Sequence, residues 1–283
     1  MNSRRWIPPI HVHPIVFFFL AVSILTGMLT ELLIIFLIVL FHEMGHYLCA
    51  RMFNWRIRRI YLWFFGGVME TEEYGTRPIW EEWLVTIAGP FQHLLIFLII
   101  HFIHFLSLIP ESTLTLAYQY NLFILLGNLL PILPLDGGRL VQLMGDHLLP
   151  YQASHMFSIV VSVVTIGLGL IITYSTGILS LSLLLLFIFL LLENRLEWKN
   201  RYYRWLRFLL YRHSSPISFT KNVYLAVDER KRLMDVFPHF YRNRYHFIGL
   251  KGHHERVFIS ESECLSLYFE QKAHQLTIGD IVR

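Results

Sequence analysis

The chain predicts a polytopic α-helical membrane protein of about six transmembrane helices, followed by a small α/β domain at the C-terminus. Three observations carry this. Hydrophobic residues make up 55% of the 283 positions and the mean hydropathy is +0.49, too apolar for a soluble enzyme of this size. Apolar stretches near the ~20 residues needed to cross a bilayer recur through the first two thirds. After about residue 214 the composition turns mixed, charged and globular.

The six segments run at about 13–30, 31–51, 82–106, 114–135, 155–174 and 178–194. Their short joins are Gly27–Thr30, Ile109–Thr113 and Tyr174–Gly177. No Lys or Arg falls in 6–50, 78–138 or 140–194, so all three short joins lack positive charge while the alternate connections are basic. The positive-inside rule then places both termini in the cytoplasm. No small-residue cleavage site separates the first two apolar runs, so no cleavable signal peptide is expected.

The formal net charge is +4 and the pI near 9.1. The basic residues flank membrane segments, most densely over Arg195–Arg212, where Trp and Tyr are interleaved. That pattern predicts an interfacial helix at 196–213 touching lipid headgroups, and argues against direct binding of nucleic acid. The expected division is a membrane domain at 1–195, this basic linker helix, and a cytosolic domain at 214–283. Two cysteines, Cys49 and Cys264, cannot make a disulfide framework.

The second apolar segment contains His42-Glu43-Met44-Gly45-His46. On a helix the two histidines stand at i and i+4 on one face, where both imidazoles can hold a single Zn²⁺. Glu43 can reach a water at the metal and take its proton. Ionisable groups within hydrocarbon are functional by default. A catalytic zinc needs one more protein ligand and an open position. The candidate is Asp136, at the end of the fourth segment, in Asn128-Leu-Leu-Pro131-Ile-Leu-Pro134-Leu-Asp136-Gly137-Gly138-Arg139. A carboxylate ending an apolar span needs a partner. Pro131 and Pro134 disturb helical hydrogen bonding, and Gly137-Gly138 are expected to let the backbone turn. Glu43 lies about 12 Å from the cytoplasmic end of its helix, at 1.5 Å per residue. The second and fourth segments run in the same direction, so Asp136 comes to a similar side.

The HExxH helix, paired with an N-x-x-P…P-x-D-G segment two spans later, resembles the site-2 protease family of intramembrane zinc metalloproteases over roughly 10–195. The resemblance implies His42, His46 and Asp136 as ligands of one catalytic Zn²⁺, Glu43 as catalytic base, and Asn128 as a catalytic group holding the substrate strand or the developing oxyanion. It also implies a re-entrant β-loop after the HExxH helix. Phe65, Gly66 and Gly67 there, with Pro134, are the candidate substrate contacts. Gly89-Pro90-Phe91-Gln92-His93 is similar to the G-P-x-x-N of the family's third helix, with His93 where relatives carry Asn; a core histidine is the expected role. His101 and His104 are expected to lie too far along that helix to reach the metal.

No interval has room for the PDZ domain of many relatives. The tail instead reads β-α-β-β-α: a strand after Lys221, helical spacing over 228–241, a strand over Arg244–Leu250, a capped helix start at Ser260–Leu265, and Thr277–Val282. This order resembles a single CBS module, which implies pairing with a second copy and ATP as a possible ligand. Six helices with such a tail resemble the family's sporulation branch. That branch implies a bacterial cell membrane, the outer membrane of the forespore, and a membrane-associated pro-protein substrate, a pro-sigma factor. It also implies restraint by inhibitory membrane proteins. The alternative from another class is a divalent-metal transporter using the same His and Asp residues transiently, since such groups also mark ion pathways.

Overall fold

The computed structural model describes residues 10–12, 14–63, 66–71, 73–214, 221–251, 258–271 and 275–282. The chain divides into two compact units, Met1–Leu130 with Leu135–Gly137, and Pro131–Pro134 with Gly138–Arg283.

In the first unit β1 (Ile10–Val12) leads into α1 (Pro14–Thr26) and α2 (Leu29–Met52). Gly27, at φ +74°, makes the left-handed turn between these two helices, a conformation that costs glycine nothing. β2 (Ile57–Trp63) and β3 (Gly66–Thr71) follow, then α3 (Ile79–Phe105) and α4 (Glu111–Asn128). The sheet order is β1-β2-β3, with β1 parallel to β2 and β3 antiparallel to it. Pro78 and Pro110 stand immediately before α3 and α4. Their lack of an amide donor matters little at a helix start, and Glu81, Glu82 and Glu111 complement the positive end of each helix. Ala50, Trp55, Met69 and Val85 form a small core that ties the end of α2 to the hairpin and α3. Trp55 donates its indole N–H to Glu81, 2.9 Å away.

The second unit contains α5 from Gly138 onward (the helix runs Asp136–Leu148), α6 (Tyr151–Ser175) and α7 (Leu181–Ser214). Before α5 the chain is unwound, and Leu133 is the informative residue. Its N–H donates to Ser162 Oγ on α6 at 2.8 Å, and its carbonyl accepts from Asn194 Nδ2 on α7 at 2.7 Å. Both partners are buried. Non-helical backbone inside a bundle persists only when its polar groups are satisfied in this way. Ser154, Ser158 and Ser162, four residues apart and all buried, form one small-residue face of α6.

The tail comprises β4 (Asn222–Val227), α8 (Leu233–Val236), a 3₁₀ turn at Phe237–His239, β5 (Tyr245–Leu250), β6 (Phe258–Ser260), α9 (Glu261–Phe269) and α10 (Ile278–Val282). Its sheet runs β4-β5-β6, parallel then antiparallel. From β4 to α9 the order is β-α-β-β-α, but the helix expected over 228–241 is confined to the four residues of α8 and the 3₁₀ turn after it, and a further helix, α10, follows α9. Ser260 and Glu263 cap α9 reciprocally.

Each of the six apolar segments contains a helix, the fourth only as far as Asn128, and among the described residues three of these helices, α2, α3 and α6, are long and apolar enough to cross a membrane. α1, at 13 residues, is about 20 Å long, short of the ~30 Å hydrocarbon core. The interfacial helix expected at 196–213 is the unbroken continuation of α7, whose 34 residues extend about 50 Å. Its buried face belongs to the tail's core: Trp205, Phe208 and Leu209 pack in one cluster with Tyr151, Leu233, Phe237, Phe240, Ile248 and Leu265.

Charge fixes this core further. Arg212 forms a buried ion pair with Glu261 and also donates to the Arg242 and Arg244 carbonyls. Arg242 Nη1 reaches the buried Asp146 at 2.9 Å. His246 stacks on Phe240 at 4.5 Å and receives the Tyr241 N–H on Nε2 at 2.9 Å. Its proton therefore sits on Nδ1, donated to Glu261 at 2.7 Å. Burial holds His246 below its usual pKa, outweighing the pull of Glu261. Burial would raise Glu261, but hydrogen bonds from His246 and Arg212 hold it low. Both groups bind protons more readily when unfolded, so both contribute stability at neutral pH that is lost in acid, from about pH 6.5 downward for His246 and about 4.3 downward for Glu261. Amide-exchange protection of β5, corrected for intrinsic rates, is expected to fall by up to about tenfold per pH unit below 6.5. Protection flat between pH 7 and 5 would contradict this.

Candidate metal centre

α2 presents His42 and His46 one above the other, with the rings edge to face at a centroid separation of 4.8 Å. Both are buried, as is Glu43 between them. Two glycines make room for them. A Cβ on Gly45 would run into the Ala88 carbonyl and the Gln92 side chain, so this glycine lets α2 lie close against α3. A Cβ on Gly89 would strike the imidazoles of both His46 and His42. α3 thus has a hole in its side chains where the two rings sit. Gly89→Ala is expected to displace the rings and lower the zinc content of the purified protein well below the native value, with the helical circular dichroism unchanged. Native zinc content in that variant would show that the rings have room to spare.

Asp136 begins α5 and brings its carboxylate to the histidines. Its Oδ2 is 3.2 Å from His42 Nε2 and 3.3 Å from His46 Nε2, and the two Nε2 atoms are 3.1 Å apart. The glycines after it work by close approach rather than by turning, which corrects the expectation for them. Neither has a positive φ. A side chain on Gly137 would collide with the Leu129 and Leu130 carbonyls, and one on Gly138 with the backbone of Ile132 and Leu133.

The donor set can be tested against zinc on its own geometry. His46 Nδ1 is 2.7 Å from the Val85 carbonyl and must donate there, which leaves Nε2 as a lone pair. Asp136 Oδ2 is buried with no hydrogen-bond partner. Acceptor atoms crowded at this range repel one another unless a cation sits among them. Donors about 2.0–2.1 Å from a tetrahedral centre stand roughly 3.3–3.4 Å apart, and the observed spacings are close to that edge. Two nitrogens and one carboxylate oxygen are zinc donors, and three leave a coordination position open. His42, His46 and Asp136 are the one such group among the described residues.

The other expected positions are placed less closely. Asn128 is the last residue of α4, half-buried, and its side chain makes no hydrogen bond among the described residues. Gly66 and Gly67 open β3, paired with Trp63 and Leu62, so the β-loop expected after α2 is a hairpin. Phe65 lies outside the described residues. Pro134 is exposed. His101 and His104 are exposed on α3. Cys49 and Cys264 are both free thiols.

His93 is the residue the sequence under-read. It is fully buried, with Nε2 3.0 Å from His42 Nδ1 and Nδ1 2.6 Å from Asn121 Oδ1. Asn121, also fully buried, drew no attention in the sequence. Its signal was available: a lone amide in the middle of an apolar helix needs an internal partner.

Paired imidazoles on a helix of membrane length, with a carboxylate converging on them, are the donor set of a membrane zinc metallopeptidase. The comparisons agree. Residues 30–110, which take in α2, the hairpin and α3, match the family model Peptidase family M50. The chain is 38% identical over 276 residues to stage IV sporulation protein FB of Bacillus subtilis, covering 96% of each. It is 28% identical over 144 residues to a zinc metalloprotease of Methanocaldococcus jannaschii, covering 47% of this chain and 42% of that one. The solved structure of the site-2 protease from Methanocaldococcus jannaschii superposes with a TM-score of 0.53 at 24% identity, over 69% of this chain and 93% of that one, which shows a shared fold. The chain belongs to the site-2 protease family, peptidase family M50. It is a metalloendopeptidase of the membrane, and the transporter alternative falls with that assignment.

Proposed function

We propose that this protease removes the pro-sequence of a membrane-associated sigma factor during sporulation. The observation that carries the reading is likeness along the whole chain, tail included, to a sporulation protein. A merely family-level match would have stopped at the membrane part.

In this reading His42, His46 and Asp136 hold one zinc ion. When bound, zinc supplies Lewis-acid polarisation of the scissile carbonyl and acidifies water. Glu43 takes the proton from the attacking water and returns it to the departing amine. Asn128 turns its amide donors toward the developing oxyanion. A helical substrate hides its carbonyls in internal hydrogen bonds, so it must unwind before attack. β3 supports a route for this: among the described residues it pairs with β2 alone and is an edge of its sheet. An extended substrate segment can add to that edge beside Gly66 and Gly67, with Phe65 and Pro134 as further contacts.

The charge pattern supports six spans with both termini in the cytoplasm and the pro-protein presented from that side. We read the tail as a CBS-like domain that pairs with a second copy and takes ATP; its strand and helix order supports this. ATP leaving cleavage unchanged would remove the nucleotide from the reading. Inhibitory membrane proteins would hold the enzyme until its substrate is due.

The test is co-expression with a membrane-tethered pro-sigma-factor reporter. Native protein is expected to shorten the reporter by its pro-sequence. An uncut reporter beside a cut generic transmembrane substrate would keep the protease and overturn the substrate.

A further inference from the structure

Both zinc-facing nitrogens must present lone pairs at once, and each imidazole carries its proton on one of two nitrogens. For His46 the Val85 carbonyl settles which. For His42 the answer lies two residues further out. Asn121 Nδ2 donates to the backbone carbonyl of His93 at 3.0 Å, which only the nitrogen end of the amide can do. The amide oxygen therefore faces His93 Nδ1 at 2.6 Å, and that nitrogen must carry the proton. A neutral His93 then has its lone pair on Nε2. The atom opposite is His42 Nδ1, 3.0 Å away, which must donate. The proton of His42 is thereby kept off Nε2, the atom 3.2 Å from Asp136.

We propose that His93 and Asn121 are positioning residues that set the tautomer and ring angle of His42, in the way a carboxylate or carbonyl behind a metal-bound histidine usually does. The pair rests on the zinc reading of His42. Both members are fully buried, so no water competes for these bonds. The His42 and His93 rings are tilted at 49° with centroids 5.0 Å apart, an arrangement set by the hydrogen bond rather than by stacking. A histidine buried only to fill space would have no need of an acceptor on one side and a donor on the other.

The experiment uses the full chain in detergent, stripped of metal and titrated with zinc against a chelator. Replacing an outer partner of this kind typically costs about 10–100-fold in metal affinity. His93→Phe, which keeps a ring but no acceptor, is expected to lose that much and to shift the visible spectrum of the cobalt-loaded protein. His93→Gln can place its side-chain oxygen where Nε2 was, and is expected to recover most of the affinity. Native affinity in the Phe variant, or a Gln variant as weak as Phe, would overturn the proposal.

A measurement on the native chain does not depend on how the variants fold. Nitrogen-15 spectra of histidine-labelled, metal-stripped protein are expected to show His42 and His93 both protonated on Nδ1. Protonation of His42 on Nε2 with Nδ1 left bare would overturn the relay. Native protein that takes up no zinc while showing these tautomers would instead count against the metal reading and leave the relay standing.

Discussion

Glu43→Gln protein is expected to retain one zinc per chain and to cleave its substrate about 10²–10⁴-fold more slowly than native, the range attributed to a positioned general base. The substitution keeps the shape of the side chain, which is buried on α2 as both histidines are. It takes away the capacity to accept a proton and return it. None of the three converging donors is altered, so the metal stays. Zinc analysis and cleavage of the tethered reporter, measured on the same preparation, separate the two effects. Cleavage within tenfold of native would mean that another group takes the proton. Loss of zinc along with activity would mean that Glu43 helps hold the site together rather than acting on water.

Asp136→Ala is the second large effect, and it strikes the metal first. The variant is expected to lose zinc by more than the ~10–100-fold typical of an outer-shell change, because in the proposed site the residue is itself a donor. It is expected to show no cleavage above background. With Asp136 gone, two neutral imidazoles remain and the only anionic donor has been removed. The local fold should survive: α5 starts with glycines packed on the Leu129–Leu133 backbone, and those contacts do not involve the aspartate side chain. Helical circular dichroism unchanged, with zinc absent, is the expected pair of results. Full zinc occupancy would show that the third ligand is elsewhere.

Legibility followed the range of the interaction. The HExxH pair reads directly because i and i+4 neighbours are fixed by helix geometry alone. Asp136 was legible because a carboxylate among prolines at the end of an apolar span contradicts its surroundings. The pairing of His93 with Asn121 was not, since 28 residues separate them and only the packing of α3 on α4 brings them together. α5 was missed between Asp136 and Leu148. Its paired glycines look like a helix break, and only the close backbone approach behind them explains their presence inside a helix. The tail's order was readable from short strand and cap signals. That its core includes Trp205, Phe208 and Leu209 was not, because those residues read equally well as an aromatic belt at a membrane surface.

That shared core has a practical consequence. α7 is a single rod, apolar at one end and clad by the tail at the other. Severing the chain after Ser214 would leave a greasy collar of Trp205, Phe208 and Leu209 open to water, together with an orphaned arginine at 212. A shortened protein of that kind would report on its own exposed collar as much as on the missing domain. Exchanging the tail for that of a relative keeps rod and cladding together if the seam is moved into the Tyr174–Ser180 turn and the incoming piece keeps the groups that meet Tyr151, Asp146 and Leu133.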